Sequence, residues 1–532
     1  MMIVRPLAGW NSPADVLLIT VYQLTRPEAY HIVRHERRRS RQEHSSVCEI
    51  LKYLKHKTDY LIMSSIQPNT NSVWAKVRRH FGSIIKPNQP KPEWKPWEKH
   101  LFRFFFLFLS LLILPIDWKI YRELFSIDWA HLHFHDLFRL SRYQNQFISA
   151  EHLPQWGIGQ FANWTIALVI ALVGAVIWSR IDFNRKEYTV LYYWLRVLVR
   201  YRLAIVLITY GFIKVFPLQM PYPSLSNLFT NYGDFFAWKI YFQTVGIAPK
   251  YQSFLGFVEI LAAFLLFNRR TTTFGVGLIF GFIGNVAVVN GLYDVGEQVL
   301  STFIVLLAAF LLANDVPRLY SLLIQEGPTY ANKIIPDFSD NVLRNFRLGL
   351  RSAFLVFVVL FAYKTFENYT TDPYKIPRTP GLHNAYGYYR VKEFILNQDT
   401  IPYSKTDPNR WQDVIFEKWS TLTIKVNRPV KIDFTSGEAV HEKDIDRNYE
   451  LAGHAGRHYF YYEADTVNHR LALQNKNKNH RAEKLFLTYQ QPNDSTLVLA
   501  GINENKDSIH VVLNKVNKKY MFFEGRRKEV KI

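Results

Sequence analysis

Two oppositely charged residues lie inside apolar stretches of the chain, where an ionised side chain is costly. Lys214 falls near the end of the run 203–217, and Glu259 follows the start of the run 251–267 by eight residues, about 12 Å along a helix. A charge at membrane depth costs about 2.5–3.5 kcal/mol on insertion scales, so such groups usually face the protein interior and pair. The sequence therefore predicts a Lys214–Glu259 pair, which either stabilises a helical bundle or forms a small-molecule or ion site.

Three histidines at alternate positions are the candidate metal ligands of the chain. His131, His133 and His135 occur in the segment HLHFHD, residues 131–136. On a strand the three imidazoles would share one face and could hold a metal, whereas on a helix only His131 and His135 would be neighbours. We interpret the segment as an interfacial amphipathic element and expect no metal site.

The remaining sequence offers little catalytic chemistry. Cys48 is the single cysteine, which excludes an internal disulfide, a CxxC redox pair and a cysteine-based zinc site within this chain. The P-loop, GxSxG and HExxH motifs are absent from the sequence. Gly277 and Gly281 form a small-xxx-small step, which favours close helix packing. No catalytic residue or cofactor is identifiable, and we favour a non-enzymatic protein.

Seven apolar runs predict an all-α polytopic membrane bundle over residues 99–366. A spanning helix needs about 20 mostly apolar residues, and the shorter runs reach this length with flanking Trp, Tyr, Lys and Arg at the interface. The runs are 101–118, 161–178, 203–217, 251–267, 272–293, 299–313 and 349–365. An odd number of spans would place the two ends of the bundle on opposite sides of the membrane.

The positive charges are biased toward alternate loops of this bundle. Arg180, Arg185 and Lys186 follow the second run, and Arg269 and Arg270 follow the fourth, whereas the loop GLYDVGEQ has no Lys or Arg. Cytoplasmic loops carry the excess of Lys and Arg, so we expect a cytoplasmic N-terminus and a periplasmic C-terminal domain. Much of the net charge of +21 is explained in this way, which argues against nucleic acid as a partner.

Residues 367–532 change in character and predict a mainly-β soluble domain. Short segments rich in β-branched and aromatic residues alternate with Asn, Asp, Gly and Pro, as in an antiparallel sandwich or small barrel. The segments include 421–427, 430–434, 457–463, 485–489, 496–500 and 508–514.

The first 98 residues predict a basic N-terminal arm. Residues 72–86 place apolar and basic residues on opposite faces of a helix, which indicates either an amphipathic helix on an anionic membrane surface or a solvated basic helix. Residues 1–62 have no apolar periodicity, so we expect part of the arm to be a mis-assigned start, with Met63 as the start of the native protein.

Several segments resemble the DoxX-like family of membrane proteins, especially its long Bacteroidetes-type form with extra helices and a soluble tail. Two of these segments, residues 94–107 and 387–398, resemble the start and the tail of that long form. The segments are 94–107 (WKPWEKHLFRFFFL), 210–223 (YGFIKVFPLQMPYP), 254–275 (FLGFVEILAAFLLFNRRTTTFG), 284–301 (GNVAVVNGLYDVGEQVLS), 311–318 (LLANDVPR) and 387–398 (GYYRVKEFILNQ). The resemblance implies a four-helix core over residues 200–318 and a location in a bacterial inner membrane.

The same resemblance implies that five residues are the polar positions of the family: Lys214, Glu259, Asn285, Tyr293 and Asp294. They would form a ligand-binding or structural cluster in the outer half of the bundle. The chain departs from the long form after the tripeptide YDV, residues 293–295, where it has Gly296-Glu297-Gln298 in place of the Pro and Lys that are typical there.

Three functions remain open at this point. The first is a membrane anchor or partner module with a polar pocket in the outer half of the bundle, bound to the lipid bilayer and to a redox or envelope protein. The second is a quinone-linked membrane oxidoreductase subunit, for which a quinone would be the cofactor. The third is a small-molecule transporter, although the sequence lacks the internal repeat common among transporters.

The predicted topology has a direct test. Protease added to sealed spheroplasts should remove residues 367–532 and leave the bundle, because seven spans place that domain outside the cytoplasm. The product is followed by immunoblot against tags at the two ends. Protection of the C-terminal tag until the spheroplasts are lysed would mean an even number of spans.

Overall fold

The computed structural model describes residues 94–149, 157–329, 341–435 and 437–518. These residues form a helical bundle followed by an antiparallel β-barrel. The predicted basic arm up to residue 93, its helix over 72–86 and the expected start at Met63 lie outside the described residues.

Each of the seven predicted apolar runs lies largely within a helix. The helices are α1 (Pro96–Ile113), α2 (Trp118–Ser126), α3 (Phe134–Ser141), α4 (Ala162–Ile181), α5 (Thr189–Val215), α6 (Leu225–Leu228), α7 (Ala237–Gly246), α8 (Pro249–Phe267), α9 (Thr272–Leu292), α10 (Gln298–Ala313), α11 (Val316–Leu323) and α12 (Asn341–Thr371).

Five helical segments of the described chain are long and apolar enough to cross a membrane. A sixth is added if α10 and α11, which meet at an angle of 70°, count as one span. Helix α5 is not one of these segments. Three charged residues, Arg200, Arg202 and Lys214, fall within its last 18 residues, about five turns, which is more charge than an apolar span of that length carries. The helical domain is therefore that of a membrane protein.

The first run differs from the sequence prediction. It was expected over 101–118, but α1 ends at Ile113. Pro115 follows, and a proline disfavours helical backbone at the residue before it. The chain then turns into α2, whose Trp118 and Phe125 are largely exposed. Such a short amphipathic helix with exposed aromatic side chains is typical of a membrane interface.

The bundle packs around α5. Helix α5 contacts α8 along most of its length, and α1, α10 and α12 pack on its other sides. The core contains small and branched side chains that are wholly buried, among them Val199, Leu203, Ala263, Ile279 and Leu307. Side chains such as Val173 and Val176 on α4 are exposed, as expected of a helix that faces lipid.

The C-terminal domain is a closed barrel of eight antiparallel strands. Its strands are β1 (Gly387–Leu396), β2 (Asp399–Thr400), β3 (Asp413–Phe416), β4 (Thr421–Lys425), β5 (His458–Asp465), β6 (Arg470–Asn475), β7 (Lys484–Asn493), β8 (Thr496–Asn503) and β9 (Ser508–Lys515). Each strand from β3 to β8 pairs with the next, β1 pairs with β3, and the β1–β9 ladder closes the ring. The short β2 pairs only with the end of β1.

The barrel interior is filled by side chains. In β7, Leu485, Leu487 and Tyr489 point inward and are buried, while Phe486 between them is half exposed. This alternation with a period of two is what a small closed barrel requires. The prediction of a mainly-β domain is confirmed, and of its two alternatives the structure is the barrel.

One predicted strand, 430–434, is absent from the barrel. These residues belong to the long connection 426–457 between β4 and β5, and their backbone is bonded by side chains. The Lys431 N–H donates to Nε2 of His480 (3.0 Å) and the Lys431 carbonyl accepts from Asn477 (2.8 Å). The alternating pattern was present, but no neighbouring strand was available to pair with it.

Candidate functional site

The predicted ion pair forms where α5 and α8 approach most closely. A Cβ atom at Gly256 would lie 2.4 Å from the carbonyl oxygen of Gly211, and one at Gly211 would lie 2.6 Å from Ile260. Only glycine at both positions allows this backbone separation. Lys214 and Glu259, one turn beyond, are thereby brought into a buried ion pair. Among the described residues Glu259 Oε2 has no hydrogen-bond donor, so Lys214 carries the compensation of this carboxylate.

A chain of polar side chains leads away from this pair. The ammonium of Lys214 lies 5.9 Å from the centre of the Tyr210 ring, one turn earlier on α5. The Tyr210 hydroxyl donates to Glu297 Oε2 (3.4 Å), and Arg142 donates to Glu297 Oε1 (2.8 Å). Sequence reasoning missed Tyr210 and Arg142 as partners, because Arg142 and Glu297 are 155 residues apart and neither lies within an apolar run.

Arg142 and Glu297 line a cavity of about 390 Å³ at this end of the bundle. Its walls come from α2, α3, the loop that follows α3, and the first residues of α4 and α10. The lining residues are Lys119, Glu123, Arg139, Arg142, Tyr143, Gln144, Asn145, Gln146, Gln160, Asn163, Trp164, Gly296, Glu297, Val299 and Leu300. The size falls within the range of about 300–1,000 Å³ common for small-molecule sites.

The other three predicted cluster residues lie elsewhere. Asn285 is exposed on α9. Tyr293 is 40% exposed, and its ring lies 5.4 Å from that of Tyr241, inclined at 42°. Asp294 is exposed in the turn after α9, with a left-handed φ of 52°. Within the described contacts none of them bonds to Lys214 or Glu259, so the structure brings together two of the five residues. The buried amide on α9 is Asn290, which donates to the carbonyl of Glu297 (3.3 Å).

The three histidines do not converge. His131 bonds to Asp128 (2.8 Å), while the rings of His133 and His135 stack at 5.5 Å and His135 approaches Asp136 at 3.3 Å. In the described parts of the chain, no group of three or more His, Cys, Asp or Glu side chains is placed to hold a metal ion.

A second polar assembly joins the bundle to the barrel. Two long connections meet there, 216–248 between α5 and α8 and 426–457 between β4 and β5. The Phe236 N–H donates to the Gly453 carbonyl (2.8 Å), and the ammonium of Lys239 donates to the carbonyl of Tyr449 and lies 3.7 Å from the centre of its ring. Gly453 is needed there, since its φ is +74° and a Cβ would lie 2.5 Å from the Trp238 ring.

Buried carboxylates complete this junction. Glu417, at the end of β3, accepts from the backbone N–H (2.7 Å) and the hydroxyl (2.5 Å) of Ser226. Glu450 pairs with Lys476 (3.0 Å). Burial, together with the negative charge of Glu450, raises the pKa of Glu417 to about 7. Burial also lowers the pKa of Lys239 well below its ordinary value, and Lys375 pairs with Glu438 at 2.6 Å close by.

Comparison with known proteins identifies no family. No family model matches the chain, and no solved structure matches it. A protein of Bacillus subtilis (strain 168), "Uncharacterized protein YwoB", is 36% identical over 81 residues. The match covers 15% of this chain and 53% of that protein, so the chain spans about half the length of this relative.

The ion pair predicts non-additive effects on stability. Lys214→Met or Glu259→Gln alone should lower thermostability in detergent, because removing one partner of a buried pair costs about 3–5 kcal/mol. The double variant should recover much of the loss. Thermal unfolding of the four proteins completes a double-mutant cycle; single losses that simply add would show that the two residues are not coupled.

Glu417 predicts a pH dependence of barrel stability. The native state raises the pKa of Glu417 from 4.5 to about 7 and therefore holds a proton that the unfolded state loses. This contribution to stability is present below about pH 4.5 and is lost as the pH rises through 7. Relative to Glu417→Gln, the wild-type protein should lose stability between pH 5 and 8. The exposed Glu463→Gln on β5 is the control and should show no such difference.

Proposed function

We propose that the chain is a non-enzymatic module of the inner membrane. Its bundle would hold the β-barrel in a fixed orientation at the periplasmic surface of that membrane. The bundle would present a polar pocket at the same end. The observation that carries the proposal is the buried junction between the connections 216–248 and 426–457. A flexible tether would need none of the buried charges found there, and buried charges without partners would destabilise the fold.

The membrane topology proposed here has seven spans. Helix α5 would be a span despite its arginines, because Arg200 donates to the carbonyls of Leu266 (2.7 Å) and Phe267 (2.6 Å) at the C-terminal end of α8. Arg200 would therefore lie near the cytoplasmic interface, and Lys214 is compensated by Glu259. Chain direction then places the ends of α5 and α12 at the outer surface, where the barrel follows α12.

The resemblance to DoxX-like proteins supports this arrangement. The four-helix core expected over residues 200–318 corresponds to α5, α8, α9 and α10, and α8 packs on both α5 and α9. The barrel and the preceding helices α1 to α4 would be additions to that core. A partner protein of the envelope would be recognised by the barrel, whose outer surface exposes Phe486 and Ile502 on paired strands.

The test is a distance measurement across the junction. Spin labels at Arg122→Cys on α2 and Asp494→Cys on the barrel, in a Cys48→Ser background, should give one narrow distance distribution in lipid nanodiscs. Glu417→Ala should broaden it, because the N–H and hydroxyl of Ser226 lose their acceptor. The exposed Glu463→Ala should leave it unchanged.

A broad distribution in the unmodified junction would overturn the proposal of a fixed barrel. Mass spectrometry of small molecules retained by the same preparation tests the alternative. One quinone per chain would favour a quinone-linked oxidoreductase subunit, with the buried Lys214–Glu259 pair as its candidate polar site.

A further inference from the structure

The cavity at the outer end of the bundle combines charges of both signs in one small space. Arg142 and Glu297 are paired at 2.8 Å, and Arg139 lies 3.7 Å from Glu123. Lys119 has no carboxylate within ion-pair distance among the described residues; its ammonium bonds only to neutral groups, Ser149 Oγ at 3.2 Å and Gln146 Oε1 at 3.5 Å.

Two amide side chains of the cavity already have hydrogen-bond partners in the protein. Asn145 and Asn163 are engaged by backbone: Asn145 Oδ1 accepts from the Ile116 N–H (3.0 Å), and Asn163 Oδ1 accepts from the Phe147 N–H (2.8 Å). They shape the wall rather than serve a ligand. The exposed cationic groups of the cavity are Lys119 and Arg139. The carboxylate contacts of Arg139 are long, 3.7 Å to Glu123 and 3.9 Å to Asp136, so an anion can reach its guanidinium from the open side.

One wall of the cavity is apolar and continues along helices of the bundle. Trp164 on α4 and Val299 and Leu300 on α10 line it, and Trp164 packs against Phe303 one turn deeper in α10. The opposite wall is α2, whose exposed Trp118 is typical of the headgroup level. A ligand in this cavity would thus have a charged part near Lys119 and Arg139 and an apolar part along α4 and α10.

We propose that the cavity binds the phosphate-bearing headgroup of a membrane phospholipid. The phosphate would lie between Lys119 and Arg139, and a headgroup ammonium or hydroxyl would lie toward the carboxylates of Glu123 and Glu297. The acyl chains would follow the apolar wall formed by α4 and α10. The inference rests on the proposed function only in requiring that this end of the bundle lies at a membrane surface.

The test uses the full-length protein in detergent and native mass spectrometry. The protein is titrated with dimyristoyl phosphatidylethanolamine, with dimyristoylglycerol, which has the same chains without phosphate, and with glycerol 3-phosphate, which has phosphate without chains. We expect one phospholipid per chain at saturation. Dimyristoylglycerol and glycerol 3-phosphate should each bind at least about tenfold more weakly.

The double variant Lys119→Ala/Arg139→Ala should bind the phospholipid at least about tenfold more weakly, a loss equivalent to about 1.4 kcal/mol. Both residues are exposed, so the fold should be kept. The matched control Arg122→Ala/Lys392→Ala also removes two exposed positive charges, neither of which lines the cavity, and should bind like the wild type.

Four results would overturn the inference. Equal binding of dimyristoylglycerol would show that phosphate is not recognised, and equal binding of glycerol 3-phosphate would identify a soluble phosphate compound as the ligand. An equal loss in the control variant would show unspecific charge attraction. If lipid binding fails while the spin-label distances stay narrow, the headgroup site is wrong and the fixed barrel stands.

Discussion

The close approach of α5 and α8 at Gly211 and Gly256 is the constraint on which the rest of the structure depends. It brings Lys214 against Glu259, so that two charges within apolar helices compensate each other. A larger side chain at Gly211 or Gly256 would push the two helices apart. Lys214 and Glu259 would then separate, and both charges would be left without a partner. Helix packing and electrostatic compensation are therefore one interaction at this point.

The same contact determines what the end of the bundle next to the barrel can hold. The connection 216–248 begins directly after α5 and ends directly before α8, so the packed helix pair anchors both of its ends. The connection can then present Ser226 and Lys239 to the barrel in fixed positions. Tyr210 lies one turn before Lys214 on α5. Its hydrogen bond to Glu297 extends the polar chain from the ion pair to the cavity.

The junction and the cavity have different physical characters, and this separates their roles. At the junction the ionisable groups are buried and engaged by specific partners, as Glu417 is by Ser226 and Lys239 by Tyr449. That arrangement favours a single geometry, because a displacement would leave a buried polar group without its hydrogen-bond partner. At the cavity, by contrast, Lys119 and Arg139 are exposed and make only longer polar contacts.

The sequence by itself determined the two-domain organisation, the helices and the Lys214–Glu259 partnership. Hydrophobic run length, alternation and the cost of a charge at membrane depth are local properties, and each can be seen in a short window of residues. Pro115 also marks the end of α1 in the sequence. The prediction followed the length of the apolar run instead, and that run continues past the proline. The tertiary structure alone decided that Asn285, Tyr293 and Asp294 stay apart from the pair. Helix rotation places Asn285 on the exposed face of α9, and Tyr293 and Asp294 lie beyond the end of that helix. The tertiary structure alone also brought Arg142 to Glu297 and held 430–434 in a connection by side chains of Asn477 and His480, since both arrangements depend on partners far away in the chain.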